Sequence, residues 1–115
     1  MHDPTEGGLA TALHELAWAA GVGLSINAAV IPVFPETQAL CNHYHLDPLG
    51  LIASGALLIV APASQAERIL TSLSTRRIAA TVIGEITDRS HGIKMITADG
   101  IQDLPLYEQD EITRI

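Results

Sequence analysis

Residues Ala56-Leu57-Leu58-Ile59-Val60-Ala61 form a run that is apolar on both faces of an extended chain. Such a run needs cover from two sides and reads as an interior strand. Even extended to Ala63 it is eight residues long, far short of the roughly 20 residues a membrane-spanning helix needs. A strand of this kind requires a layered host, and the rest of the chain reads as one.

Leu9, Leu13, Leu16, Ala17 and Ala20 recur at helical spacing, so a loop to about Thr5 is expected to lead into a helix through Ala20. Asp3 as N-cap, Pro4 at the first helical position and Glu6 three residues after Asp3 fit that entry. Gly21-Val22-Gly23 ends it. Leu24-Ser25-Ile26-Asn27-Ala28 alternates apolar and polar, the pattern of a strand with one buried face. Ile31 to Pro35 is an extended connector whose prolines bar a central strand position. Pro35 and Glu36 open a second helix to about His43 or Tyr44. A turn follows at Leu46–Gly50. After the apolar run, Ser64 and Glu67 form a capping box for a third helix through about Leu73. Thr81–Ile86 and Gly92–Thr97 read as two further strands, paired as an antiparallel hairpin, and the tail ends in a short helix around Asp110–Arg114. Helices alternating with strands give an α/β fold with a mixed sheet covered by helices, organised as one domain over residues 1–115.

The 115 residues include six Lys and Arg against 13 Asp and Glu, a net charge of −7. This balance argues against a nucleic-acid grip, which needs clustered cations. Aromatic residues make up 3%, too few for a base-stacking platform. Hydrophobic residues at 48% exclude a disordered acidic tail. The single cysteine, Cys41, cannot form an internal disulfide, and Met1-His2-Asp3-Pro4 has no secretory pattern; a reduced, cytoplasmic setting is expected.

The sharpest chemical signal is Asp3-Pro4-Thr5-Glu6-Gly7-Gly8 at the mouth of a helix. Paired glycines admit a ligand close to the backbone. Free amides at a helix start favour an anion such as phosphate. Because Asp3 and Glu6 repel that anion, a divalent cation between carboxylate and phosphate is the natural mediator. The competing reading is a capped helix start with a flexible entry loop. Ser54-Gly55 marks either a pocket edge or a simple turn. Gly84-Glu85 within a strand marks either close approach of another group or a glutamate facing solvent. Cys41, His43 and His45 invite a metal reading, but histidines two apart on a helix point to different faces. A zinc site also needs three or four ligands, and no second cluster supplies them. Cys41 then reads as a small core residue and Trp18 as a packing residue.

The opening block Met1-His2-Asp3-Pro4-Thr5-Glu6-Gly7-Gly8-Leu9-Ala10-Thr11-Ala12-Leu13-His14-Glu15-Leu16-Ala17 resembles the start of the C-terminal domain of aminoimidazole ribonucleotide synthetase-related (PurM-like) proteins. It is most similar to the branch of hydrogenase maturation factors. The resemblance continues through Asp47-Pro48-Leu49, Ala53–Leu58 and Val82–Ile86. It implies a three-layer α/β/α mixed sheet with partial ferredoxin-like topology. It also implies ATP-dependent chemistry in which an oxygen is phosphorylated and then displaced or eliminated. An N-terminal domain, absent here, would hold most of the nucleotide, and this domain would close over the phosphates. By position, Asp3, Thr5, Gly7 and Gly8 would face the phosphates and their Mg²⁺, with Asp3 as the metal ligand; Ser54 and Gly55 would line the cleft. Two positions depart from the branch: Glu6 stands where a basic residue is usual, and the chain ends Glu111-Ile112-Thr113-Arg114-Ile115 without a cysteine. The expectation is a phosphate- and Mg²⁺-closing domain, inactive alone and partnered by an ATP-binding N-terminal domain or subunit. The alternative is a stand-alone oligomerisation or ligand-binding module of the same fold, expected to self-associate through the uncovered surface.

Overall fold

The structure, a computed structural model, describes Pro4, residues 6–53 and residues 55–114. Helix α1 spans Gly8–Ala20, ending where expected and starting just ahead of Leu9, the first residue of its apolar stripe. Pro4 lies ahead of it, fully buried, instead of opening it. The expected cap at Asp3 lies outside the described residues; the residue before α1 is Gly7, which has no side chain to cap with. At the other end Gly21 takes a left-handed φ of 66° and returns its N–H to Ala17 O, the usual glycine stop.

Strand β1 (Gly23–Asn27) follows, then helices α2 (Pro35–Tyr44) and α3 (Ala63–Thr75) and strands β2 (Gly84–Thr87), β3 (Ile93–Thr97) and β4 (Gly100–Asp103). Short 3-10 turns lie at Ala28–Val30, Pro48–Gly50, Arg89–His91 and Glu111–Arg114. The sheet order is β2-β1-β3-β4, with β1 antiparallel to β2, parallel to β3, and β3 antiparallel to β4. This is the α/β fold with a mixed sheet and helices that the element order implies.

The core forms where α1 meets one face of that sheet. Leu13 and Ala17 of α1 pack with Leu24 and Ile26 of β1, Met95 of β3 and Leu104, all buried. Burying each Leu, Ile or Met side chain contributes about 1.5–3 kcal/mol. In β1 the expected alternation holds: Leu24 and Ile26 are buried while Asn27 is exposed. Helix α3 half-buries Ala66, Ile69, Leu70 and Leu73, one stripe at helical spacing, and none of its residues is fully buried.

Three sequence expectations change. The run Ala56–Ala61 is not a strand of this sheet. Only Leu58 makes an isolated bridge and packs against the core, while Leu57, Ile59 and Val60 are exposed. Hydrophobicity on both faces identified a segment that needs cover, but pairing is decided by neighbours. Second, Thr81–Ile86 and Gly92–Thr97 do not form a hairpin, because β1 lies between β2 and β3. The link between them passes the end of β1: the Leu24 N–H donates to Gly92 O at 3.0 Å, and a side chain at Gly23 would meet Asp88 O and Gly92 O. The hairpin is β3–β4 instead, with the Lys94–Asp103 ion pair across it. Third, Ser64 and Glu67 form no capping box; α3 begins after Pro62 with no side-chain cap.

The two glycines at the head of α1 have packing reasons. At Gly8 the backbone is left-handed (φ 68°), and an added Cβ would stand 2.5 Å from both Leu49 O and Leu51 O. Gly21 is also left-handed, but open space surrounds it. Gly8→Ala should therefore destabilise by about 3 kcal/mol or more, since carbonyls cannot yield as a flexible side chain can, whereas Gly21→Ala should cost only about 1–2 kcal/mol of left-handed strain. Urea denaturation of the two variants checks this; equal midpoint shifts would contradict it.

Candidate functional site: a carboxylate-laced loop cluster

Three stretches meet at the head of α1: the turn Glu6–Gly8, the loop Asp47–Gly55, and the tail Tyr107–Arg114. Asp110 joins all three. Its Oδ2 accepts the Gly7 N–H at 2.7 Å, and its Oδ1 accepts the Ile52 N–H at 3.0 Å. The same Oδ1 accepts the Ile112 N–H at 3.0 Å, which orients the carboxylate at the start of the tail's 3-10 turn. Amides from two distant loops thus converge on one anionic group, which also lies at the positive end of the α1 dipole.

A second carboxylate braces the arrangement. Glu111 is buried; its Oε1 accepts the Asp47 N–H at 2.9 Å, and Arg114 reaches both oxygens at 3.0 and 3.2 Å. This pairing is what makes a buried charge tolerable. Asp47 in turn accepts from the Leu49 N–H at 3.0 Å, holding the Pro48–Gly50 turn, and from the Tyr107 hydroxyl. Gly50 is the point of closest approach, since a Cβ there would meet the Tyr107 ring and Glu111 Cγ at 2.7–2.8 Å. Cys41 is buried nearby as the expected core residue, and its thiol pKa is raised by burial and by the charges of Asp47 and Glu111.

Of the site residues expected from sequence, Asp3, Thr5 and Ser54 lie outside the described residues. Gly7 and Gly8 are buried, with Gly7 hard against Thr11 and Gly8 against the Leu49–Leu51 backbone. Gly55 is exposed in an open turn with a left-handed φ of 94°. Ile52 and Gly7 meet through Asp110, which joins the Gly7 turn to the loop after Gly50. Glu6 is exposed. Among the described residues no group of three or more His, Cys, Asp or Glu is placed to hold a metal ion. The donors of Gly7 and Ile52 are both taken by the Asp110 carboxylate.

Gly84 and Glu85 resolve toward the structural alternatives. A Cβ at Gly84 would stand 2.2 Å from Ser25 O, so the close approach is that of β1, and Glu85 is exposed. Trp18 is not a core residue: it is 61% exposed. It borders an open groove of about 590 Å³ shared with Arg89 and Ile93, its ring 5.4 Å from that of His14. The imidazole of His14 is buried, and its Nε2 lies 3.0 and 3.1 Å from the carbonyls of Leu104 and Pro105. Both partners are acceptors, so Nε2 carries the proton and donates. Sequence reasoning missed Asp47, Tyr107, Asp110 and Glu111 as a set. The available signal was local: Asp before a 3-10 start, at 47 and again at 110.

With this geometry established, the comparisons are specific. The family described as "AIR synthase related protein, C-terminal domain" matches residues 1–96, and the chain belongs to that family. Carbamoyl dehydratase HypE of Cupriavidus necator is 38% identical over 103 residues, covering 87% of this chain and 29% of the relative. A crystal structure of the hydrogenase maturation protein HypE in complex with ATP superposes with a TM-score of 0.81 at 32% identity, over 94% of this chain and 35% of that one. A crystal structure of a HypE–HypF complex gives a TM-score of 0.83 at 29% identity, over 91% of this chain and 35% of that one. The chain thus spans about a third of the length of the relatives it matches. Within the family it falls in the HypE branch.

The phenol of Tyr107 has its pKa raised above the ordinary value of 10, first by burial, then by the hydrogen bond to Asp47 and the charges of Asp47 and Glu111, against the opposing charge of Arg114. The neutral form is favoured in the folded state. Its stabilisation is therefore present below about pH 10 and lost as pH rises through the higher folded value. An alkaline titration of phenolate absorbance should show a late-ionising phenol that Tyr107→Phe removes, with the variant losing about 1 kcal/mol near neutral pH. A wild-type curve without that late phase would count against the buried Tyr107–Asp47 contact.

Proposed function

We propose that this chain is the phosphate-closing C-terminal domain of an ATP-dependent, hydrogenase-maturation-like protein, and that it is inactive without an N-terminal ATP-binding part. The observation that carries the reading is the fixed glycine turn at the head of α1, where Asp110 ties the Gly7 and Ile52 amides together and Gly8 seats against the Leu49 and Leu51 carbonyls. The likeness to HypE over most of the chain, including a HypE that binds ATP, supports it.

On this reading Asp3, Thr5, Gly7 and Gly8 face the polyphosphate, and Ser54 and Gly55 line the cleft. Asp3 supplies a carboxylate to Mg²⁺, which when bound neutralises phosphate charge. The chain's own contribution is the shaped loop: Gly7 turned left-handed and held by Asp110 of the tail, with Gly8 seated against the Leu49 and Leu51 carbonyls. The domain works in the cytoplasm. No helix among the described residues is long and apolar enough to cross a membrane. Its first partner is the ATP-binding part; a HypF-like protein is a second, by analogy with the HypE–HypF complex.

The exposed apolar side chains Leu57, Ile59, Val60, Ile78 and Val82 favour a second reading, a homo-oligomeric module of the same fold without chemistry. Calorimetry separates the two. Mg-ATP titrated into the isolated chain should give no binding heat, and binding should appear once an N-terminal ATP-binding domain is added. Tight binding by the isolated chain contradicts dependence on that part. A sedimenting oligomer that stays inert to ATP with the added domain would favour the second reading.

A further inference from the structure

We propose that Asp110 is a positioning residue for the glycine turn: its carboxylate staples Gly7 to Ile52 and so sets the gap between the two loops that the functional reading assigns to phosphate. The proposal rests on that reading for its ligand, but not for its geometry.

The argument starts from what each loop lacks. The Glu6–Gly8 turn is bracketed by Pro4 and α1, and Gly7 adopts φ 80°, a backbone that no side chain of its own can pin. Among the described residues the backbone bond that returns to it is a long one, from the Thr11 N–H to Gly7 O at 3.4 Å. Among the described residues, the loop that follows Gly50 carries only the isolated bridge at Leu58 before α3 begins at Ala63. Ile52 lies in that stretch, exposed, and its N–H goes to Asp110. The two oxygens of one planar carboxylate are a fixed distance apart. One accepting from Gly7 and the other from Ile52 therefore converts two soft loops into one unit.

The carboxylate is itself held. Oδ1 is shared with the Ile112 N–H, and the Asp110 carbonyl accepts from both the N–H and the hydroxyl of Thr113. Its neighbour Glu111 is fixed separately, through the Asp47 N–H and Arg114. The tail thus carries two anchors with different targets: Asp110 grips Gly7 and Ile52, and Glu111 grips Asp47. That separation makes the proposal testable, because a tail with a merely structural role would respond alike to the loss of either anchor.

The experiment uses the full chain, labelled with ¹⁵N and ¹³C. In the wild type, a through-hydrogen-bond coupling should link the Gly7 amide nitrogen to the Asp110 carboxyl carbon; this needs no variant, and its absence overturns the staple. In D110N, which replaces one charged acceptor oxygen by an amide, exchange at Gly7 and Ile52 should accelerate about tenfold or more, with the β1 and β3 amides unchanged. In E111Q the accelerated amide should be Asp47, with Gly7 and Ile52 unchanged. Identical exchange patterns in the two variants, or no change at Gly7 in D110N, overturn the proposal; should D110N not fold, the wild-type coupling alone decides. Its consequence for the ligand is read with the N-terminal domain supplied: D110N should weaken Mg-ATP binding about tenfold, and E111Q by clearly less. Equal weakening in both overturns the positioning role. Absence of ATP binding by the wild-type mixture overturns the functional reading instead and leaves the exchange result standing.

Discussion

Charged oxygen against backbone amide is the interaction on which this part of the molecule depends. Three carboxylates, Asp47, Asp110 and Glu111, accept five backbone N–H groups between them: those of Leu49; of Gly7, Ile52 and Ile112; and of Asp47. The bonds to Gly7, Asp47 and Leu49 are part-buried, and an unpaired buried donor costs about 1–3 kcal/mol, whereas those to Ile52 and Ile112 are exposed. The acidic balance of the chain therefore has a partly structural use. Some of its negative charge replaces the hydrogen bonds that helices and strands supply elsewhere.

The remaining architecture positions that cluster. Strand β1 holds the centre because both its edges are paired and its Leu24 and Ile26 meet Leu13 and Ala17 of α1. That contact fixes the direction of α1, and its N-terminal end then falls against the Leu49–Leu51 backbone, where only a glycine at position 8 fits. The glycine pair, read as an opening for a ligand, is thus explained first by close packing. The Gly7 amide itself is taken by the Asp110 carboxylate.

The extent to which the sequence revealed this follows the range of each interaction. Helices α1, α2 and α3 and strands β1 and β3 were legible because a helical or alternating pattern is a local property, as at Leu24-Ser25-Ile26. The apolar run at Leu57–Val60 misled because two-sided hydrophobicity reports a need for cover, not a pairing partner. Strand β4 was missed: Gly100-Ile101-Gln102-Asp103 carries one apolar residue, and it is paired through Lys94–Asp103 and the backbone of β3. The candidate site was half legible. The glycine block announced itself, whereas Asp110 gave only a helix-start signal, and nothing local connects it to Gly7.

The bond between Gly7 and Asp110 spans 103 positions of the chain. A contact of that span closes a very long loop, so its entropic cost falls due only once α1 and the sheet have already brought the two ends together. It should form among the last contacts in folding and open among the first in native fluctuations, without disturbing the core of Leu13, Leu24 and Met95. The head of α1 and the tail thus form a late-folding unit of their own, whose opening and closing can run on a different clock from the unfolding of the domain.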